Sequence, residues 1–155
     1  MEWNKSVSNP MLVGMIELMK ADPTQDHKKM FVEEMMKAKY LTPAVIEPKP
    51  KKDGNGRAQL TPGNKIRFPM LNAPDGKSFY MAFTDSIEFR KWKKEEQDTL
   101  VLTFPEYAGL ILRKGNTAAG FVINPFGGNI VISRDMLMSL AAGIQKAREE
   151  KKETN

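Results

Sequence analysis

Few side chains in this sequence are of types that could do chemistry. Histidine occurs once, at His27, directly after Asp26. A histidine base needs an orienting partner and a nucleophile within reach. Cysteine is absent, which removes thiolate nucleophiles, disulfides and thiolate zinc sites together. No Gly-x-Ser-x-Gly elbow is present to expose a serine. His27 therefore reads as an exposed residue at a helix start. Asp53-Gly54-Asn55-Gly56-Arg57 has the outline of a calcium loop. Counted from Asp53, however, Arg57 falls where an oxygen ligand is needed, Ala58 where glycine is needed and Asn64 where the bidentate glutamate is needed. The segment reads as a glycine-rich turn. A phosphate cradle of the form Gly-x-x-x-x-Gly-Lys-Ser/Thr is missing. Gly127-Gly128 precedes a strand pattern, so these glycines are expected to supply positive φ in a tight hairpin.

Four carboxylates lie close to ordered turns: Asp75, Asp85, Glu88 and Glu106. Acid–base work by a carboxylate pair needs two acids facing one another with separated pKa values. Asp75 sits in Pro-Asp-Gly, where an acid stabilises the turn. Asp85 with Glu88 three residues later is a capping-box pattern. A different site follows if two turns converge. Phe83, Thr84 and Asp85 end one strand, Asn124 and Phe126 end another, and Trp92 closes the helix between them. Phe83, Trp92 and Phe126 would then supply apolar walls, and Thr84, Asp85 and Asn124 the polar groups, of a small pocket.

Charge is unevenly distributed. The net charge is +5. Lys49, Lys51, Lys52, Arg57 and Lys65 stand against only Glu47 and Asp53, so most of the excess lies between residues 47 and 65. That stretch has no aromatic residue to stack on a base, so it reads as a solvated, mobile basic loop rather than a nucleic-acid arm. Apolar residues make up 41% and charged residues 28%, ordinary for a globular protein. No apolar run is long enough for a membrane span. The start, Met1 to Ser6, lacks the order of a secretion signal. The expectation is a cytoplasmic protein with no membrane partner and no cofactor.

The elements that position these residues follow from period and punctuation. Asn9 can cap and Pro10 suits the first helical position. Leu12, Met15, Ile16 and Met19 then recur on one face. A second helix spans about 27–39, with Phe31, Met35 and Ala38 on one stripe. Met11, Met15, Met19, Met30, Met35 and Met36 are expected to pack these two helices, with a groove or homodimer face as the alternative. Residues 40–46 read as one strand, 66–71 and 78–83 as a hairpin, and 99–104 as a strand. A helix starts at Pro105 and ends by Gly115. Residues 119–123 and 129–132 form a second hairpin, and Ser133 caps a last helix. The expected class is α+β: a mixed sheet of about five to six strands, two N-terminal helices, two short helices and a C-terminal helix. Residues 1–8 are expected to be a flexible N-terminus, 9–145 one domain, and 146–155 a charged, fraying tail.

Phe68-Pro69, Asp75-Gly76-Lys77, Ala82-Phe83-Thr84-Asp85, the helix ending near Trp92, and Asn124-Pro125 followed by glycine form an ordered set. In that order and spacing the sequence resembles the SseB family, named for enhanced serine sensitivity, and within it the N-terminal domain. The opening helix pair and Tyr40-Leu41-Thr42-Pro43 extend the resemblance over roughly residues 9–144. Larger family members carry a second, C-terminal domain; the expectation here is the N-terminal one alone, and the loop at 47–65 is long and basic. The resemblance implies a fold and a bacterial cytoplasmic setting. It carries over no reaction, cofactor or catalytic residue. The functional expectation is a non-enzymatic protein-interaction or regulatory module, with a protein partner or a second copy of the chain. A small-ligand sensor at the Phe83–Asp85 and Asn124–Gly128 turns is the alternative, followed by a carboxylate enzyme.

Overall fold

The structure, a computed structural model, describes residues 2–49, 60 and 62–153. Most of the basic loop, including the Asp53–Arg57 turn, lies outside the described residues. The described residues form nine strands and five helices. Strand β1 (Glu2–Trp3) precedes helices α1 (Pro10–Ala21) and α2 (Gln25–Lys37). Strands β2 (Lys39–Pro43), β3 (Val45–Glu47), β4 (Lys65–Arg67), β5 (Met70–Asn72) and β6 (Ser78–Ala82) follow. Helix α3 (Ser86–Trp92), strand β7 (Thr99–Thr103) and helix α4 (Phe104–Ile111) come next. The chain ends with β8 (Gly120–Ile123), β9 (Ile130–Ser133) and the long α5 (Arg134–Glu153).

The class is α+β, as the pattern predicts, but the strands divide differently. A four-stranded sheet has the order β5-β6-β8-β9, with β6 and β8 parallel and both outer pairs antiparallel. A three-stranded antiparallel sheet has the order β1-β7-β2, and β3 pairs with β4. Prolines stand at both splits. The expected single strand at 40–46 breaks after Pro43, and the one at 66–71 breaks at Phe68-Pro69, where proline has no N–H to donate to a ladder. One antiparallel bridge joins the two larger sheets: Leu41 and Phe83 exchange backbone hydrogen bonds, both of 2.9 Å.

Alternation then sorts the side chains onto two faces. Tyr40, Leu102, Tyr80, Phe121 and Ile132 share a face with Leu12, Ile16, Phe31 and Met35 from α1 and α2. Phe104, Tyr107 and Ile111 of α4 and Leu137 of α5 complete this main core. Leu41, Met81, Phe83 and Val101 point the other way and are covered by Phe89 and Trp92 of α3. Of the methionines of α1 and α2, Met15 and Met35 are buried, Met19 and Met36 pack against the core, and Met11 and Met30 are exposed.

Both chain ends carry regular structure. Glu2 and Trp3 pair with Val101 and Leu100, so the N-terminal segment expected to be flexible contributes a strand. Trp3 has a reason to dock, since it packs on Ala44, Ile46 and Leu100. At the other end α5 continues through the charged residues to Glu153, where a fraying tail was expected. Helix-forming Ala, Arg, Glu and Lys fill that stretch, which favours continuation without burial. Ser133 Oγ accepts from Met136 N at 3.2 Å, the cap the sequence predicts.

Candidate functional site

The two turns singled out in the sequence do meet. Asn124 ends β8 with a left-handed φ of 49° and is buried. Its backbone N–H donates to Ala82 O at 2.9 Å, which sets the two parallel strand ends side by side. Its Oδ1 accepts from Thr84 N at 3.0 Å, and its Nδ2 donates to Thr84 Oγ1 at 2.9 Å. Thr84 Oγ1 in turn donates to Asp85 Oδ2 at 2.9 Å. Asp85 Oδ1 accepts from Glu88 N at 2.9 Å and so caps α3. Thr84, Asp85 and Asn124 thus form one clasp joining β6, β8 and the start of α3.

A fourth member was not legible in the sequence. Asn9 reads there as the cap of α1, yet its side chain makes no capping bond. Its Nδ2 instead donates to Thr84 O and Lys39 O, both at 2.8 Å. The asparagine ties the entrance of α1 and β2 to the clasp. Pro10 at the next position disguises this, because Asn-Pro before an apolar run is an ordinary helix-start signal.

The aromatic members separate. Phe83 is fully buried and meets Phe89 edge-on at 5.2 Å and Trp92 in a stack at 6.2 Å. Only Phe126 is well exposed, at 52%. Every polar side-chain atom of Thr84, Asp85 and Asn124 already has a partner inside the clasp. The arrangement brings the predicted residues together as a fastening that is internally satisfied.

The Asn124–Asn129 turn carries a second correction. Asn124 and Asn129 hold the left-handed conformations, with φ of 49° and 52°, and Gly127 and Gly128 do not. Asparagine tolerates this region because its short polar side chain bonds locally. Gly127 lies against the Glu88 carboxylate: a Cβ there would lie 2.6 Å from Glu88 Oε2, so a side chain would displace the carboxylate. Glu88 is thereby wedged between α3 and the turn. Its Oε1 meets Lys91 Nζ at 2.6 Å, while its buried Oε2 has no hydrogen-bond partner. Lys20 reaches across from α1 to Gly128 O.

The other candidate acids serve turns and caps. Asp75 Oδ1 accepts from Lys77 N at 3.0 Å. Glu106 Oε1 accepts from both Thr103 N and Thr103 Oγ1 at 3.2 Å. His27 sits in the first turn of α2, partly buried rather than exposed, because Nδ1 folds back to within 2.6 Å of Asp22 O. Among the described residues no group of three or more His, Asp or Glu could hold a metal ion. The titration that burial alters most is that of two phenols. Burial raises the pKa of Tyr40 and of Tyr107 far above the ordinary tyrosine value, and proximity to Tyr107 adds to the shift of Tyr40. Their hydroxyls donate to Met35 O at 2.7 Å and Met81 O at 2.9 Å, which marks both as structural.

With this geometry, the phrases around the clasp can be set against known families. Residues 12–139 match the family model described as SseB protein N-terminal domain. The chain belongs to the SseB family. No curated protein and no solved structure matches it. The match spans both turns of the clasp, so in this SseB domain Ala82-Phe83-Thr84-Asp85 and Asn124-Pro125 are the two halves of one fastening. No described helix is long and apolar enough to cross a membrane.

Proposed function

We propose that this SseB domain is a non-enzymatic protein-interaction module that docks through apolar side chains beside the clasp. The observation that carries the reading is the exposure of Ile87, at 76%, and Phe126, at 52%. They adjoin Glu88 and Gly127, the pair in contact between α3 and the turn. Apolar side chains displayed on a well-fastened frame lose little conformational freedom on binding. The basic stretch 47–65 would attract an acidic partner and raise its association rate. A small-ligand sensor at the same turns finds less support, because the clasp already uses its own polar atoms.

The test begins with affinity capture from lysate of the source cells, followed by mass spectrometry and measurement on the purified pair. An Ile87→Ser/Phe126→Ser variant is expected to weaken binding at least tenfold with an unchanged unfolding midpoint. A variant lacking residues 48–64 is expected to associate more slowly and with a flatter salt dependence. Full affinity in the serine variant would overturn the docking reading. An unchanged rate and salt slope in the deletion would remove the steering role.

A further inference from the structure

Helix α3 presents a third face that neither the clasp nor the docking residues use. Ser86, Phe89 and Arg90 recur at helical spacing along it, and with Lys93 just past its end they line a cleft of about 410 Å³. The opposite wall is the N-terminal segment from Asn4 to Ser6, and the floor includes Leu41. That wall is fixed in place. Asn4 N donates to Thr99 O at 2.9 Å, its Oδ1 accepts from Thr99 N at 2.8 Å, and its Nδ2 donates to Asp98 Oδ1 at 3.0 Å. Lys93 is already engaged, donating to Gln97 Oε1 at 3.1 Å with its ammonium over the Trp92 ring. Lys5, Arg90 and Lys94 also line the cleft, and none of them has an ion pair among the described residues. Glu95 and Glu96 stand in the lining too, but neither pairs with these cations.

Lys5, Arg90, Lys93 and Lys94 against Glu95 and Glu96 leave the lining with an excess of positive charge over a floor of buried Phe89 and Leu41. An excess of one sign in a cleft raises the local concentration of the opposite charge. Arginine adds a planar fork that matches a carboxylate or a phosphate. A volume of this size suits a small molecule. We infer that the cleft between α3 and the Asn4–Ser6 segment binds a small anion, a carboxylate or a phosphate, carried on an apolar body. The anionic group meets Arg90, Lys94 and Lys5, and the apolar body lies over Phe89 and Leu41. This site is distinct from the docking face, since neither Ile87 nor Phe126 lines the cleft.

The test is an amide-shift titration of the full-length, isotope-labelled chain with three probes: benzoate, phenyl phosphate and neutral benzyl alcohol. At least one anion is expected to give saturable shifts centred on Ser86, Phe89, Arg90 and Thr99, binding at least tenfold more tightly than the alcohol. Preference between the two anions separates a carboxylate site from a phosphate site. Arg90→Ser/Lys94→Ser, at two exposed positions, is expected to weaken binding at least tenfold. Ser86→Tyr is expected to block the cleft without changing its charge. Absence of saturable shifts, shifts centred elsewhere, or equal affinity in the Arg90→Ser/Lys94→Ser variant would each overturn the proposal. Ile87→Ser/Phe126→Ser should leave fragment binding intact, so failure here is distinct from failure of the docking reading.

Discussion

Replacing Asn124 by alanine tests whether the clasp is a structural fastening. The substitution removes two hydrogen bonds, of 3.0 and 2.9 Å, both made to Thr84. Thr84 is fully buried, so its backbone N–H is left without a partner, at a cost of about 1–3 kcal/mol. Thr84 Oγ1 keeps its bond to Asp85 and loses only an accepted bond, about 0.5–1.5 kcal/mol. Alanine at a φ of 49° adds about 1 kcal/mol of backbone strain. The expected loss is about 3–5 kcal/mol, a large share of the roughly 5–15 kcal/mol that holds a domain together. Urea unfolding measures it, read as a fall in midpoint at constant slope. Asn124→Gly separates the contributions. It loses the same hydrogen bonds but tolerates positive φ, so it should be more stable than Asn124→Ala. That order reverses the usual preference for alanine over glycine. A Thr84→Ala cycle should show coupling of about 0.5–3 kcal/mol with Asn124→Ala. A loss below about 1 kcal/mol in Asn124→Ala, or glycine no better than alanine, would refute the reasoning.

Two further predictions concern the core. Tyr40 and Tyr107 have raised folded-state pKa values, so their contribution is fully present below the unfolded tyrosine value near 10 and is lost as pH rises above it. Above pH 10 the unfolded chain releases protons that the folded one retains, and stability should fall by up to about 1.4 kcal/mol per pH unit for each phenol. Chemical unfolding between pH 9 and 11.5 measures that slope, and Tyr40→Phe or Tyr107→Phe should each roughly halve the tyrosine part. An unchanged slope in both variants would reject the assignment. Gly120→Ala should destabilise by about 3 kcal/mol or more, since its Cβ would lie 2.0 Å from Ile132 O and its φ is 149°. A loss under 1 kcal/mol in urea unfolding would show that β8 and β9 can part locally.

What the sequence reveals depends on how locally each feature is encoded. Asp85 before α3 and Ser133 before an apolar helix are local signals, and both cap; the reciprocal half of the capping box does not form, because Glu88 turns its carboxylate to Lys91. The hairpins are bounded by turn residues that have few other uses, and both form. Features encoded across distance stay hidden. Asn9 bonds to Thr84, which lies 75 positions away, and no local pattern distinguishes that role from helix capping. The division into three sheets depends on which proline positions the ladders can absorb. In the 124–129 turn the left-handed positions are Asn124 and Asn129, while Gly127 lies against the Glu88 carboxylate of α3, a neighbour 39 positions away that no local pattern reveals. The cleft is assembled from three polar segments, none of which looks like a site alone.

Helix α3 links these observations, because its seven residues face three ways. Phe89 and Trp92 enter the aromatic cluster with Phe83, with centroid distances of 5.2 to 6.2 Å. Glu88 meets the Asn124–Asn129 turn, and Arg90 lines the cleft. A helix this short has too few internal hydrogen bonds to hold its own shape. Its geometry therefore comes from Asp85 at its start and from the aromatic stack beneath it. Weakening the clasp at Asn124 should thus disturb the cleft and the docking face together, although Asn124 does not line the cleft. Substitutions confined to Arg90 and Lys94, or to Ile87 and Phe126, should each disturb one surface and leave the other. That contrast distinguishes a frame that positions two surfaces from a site that binds directly.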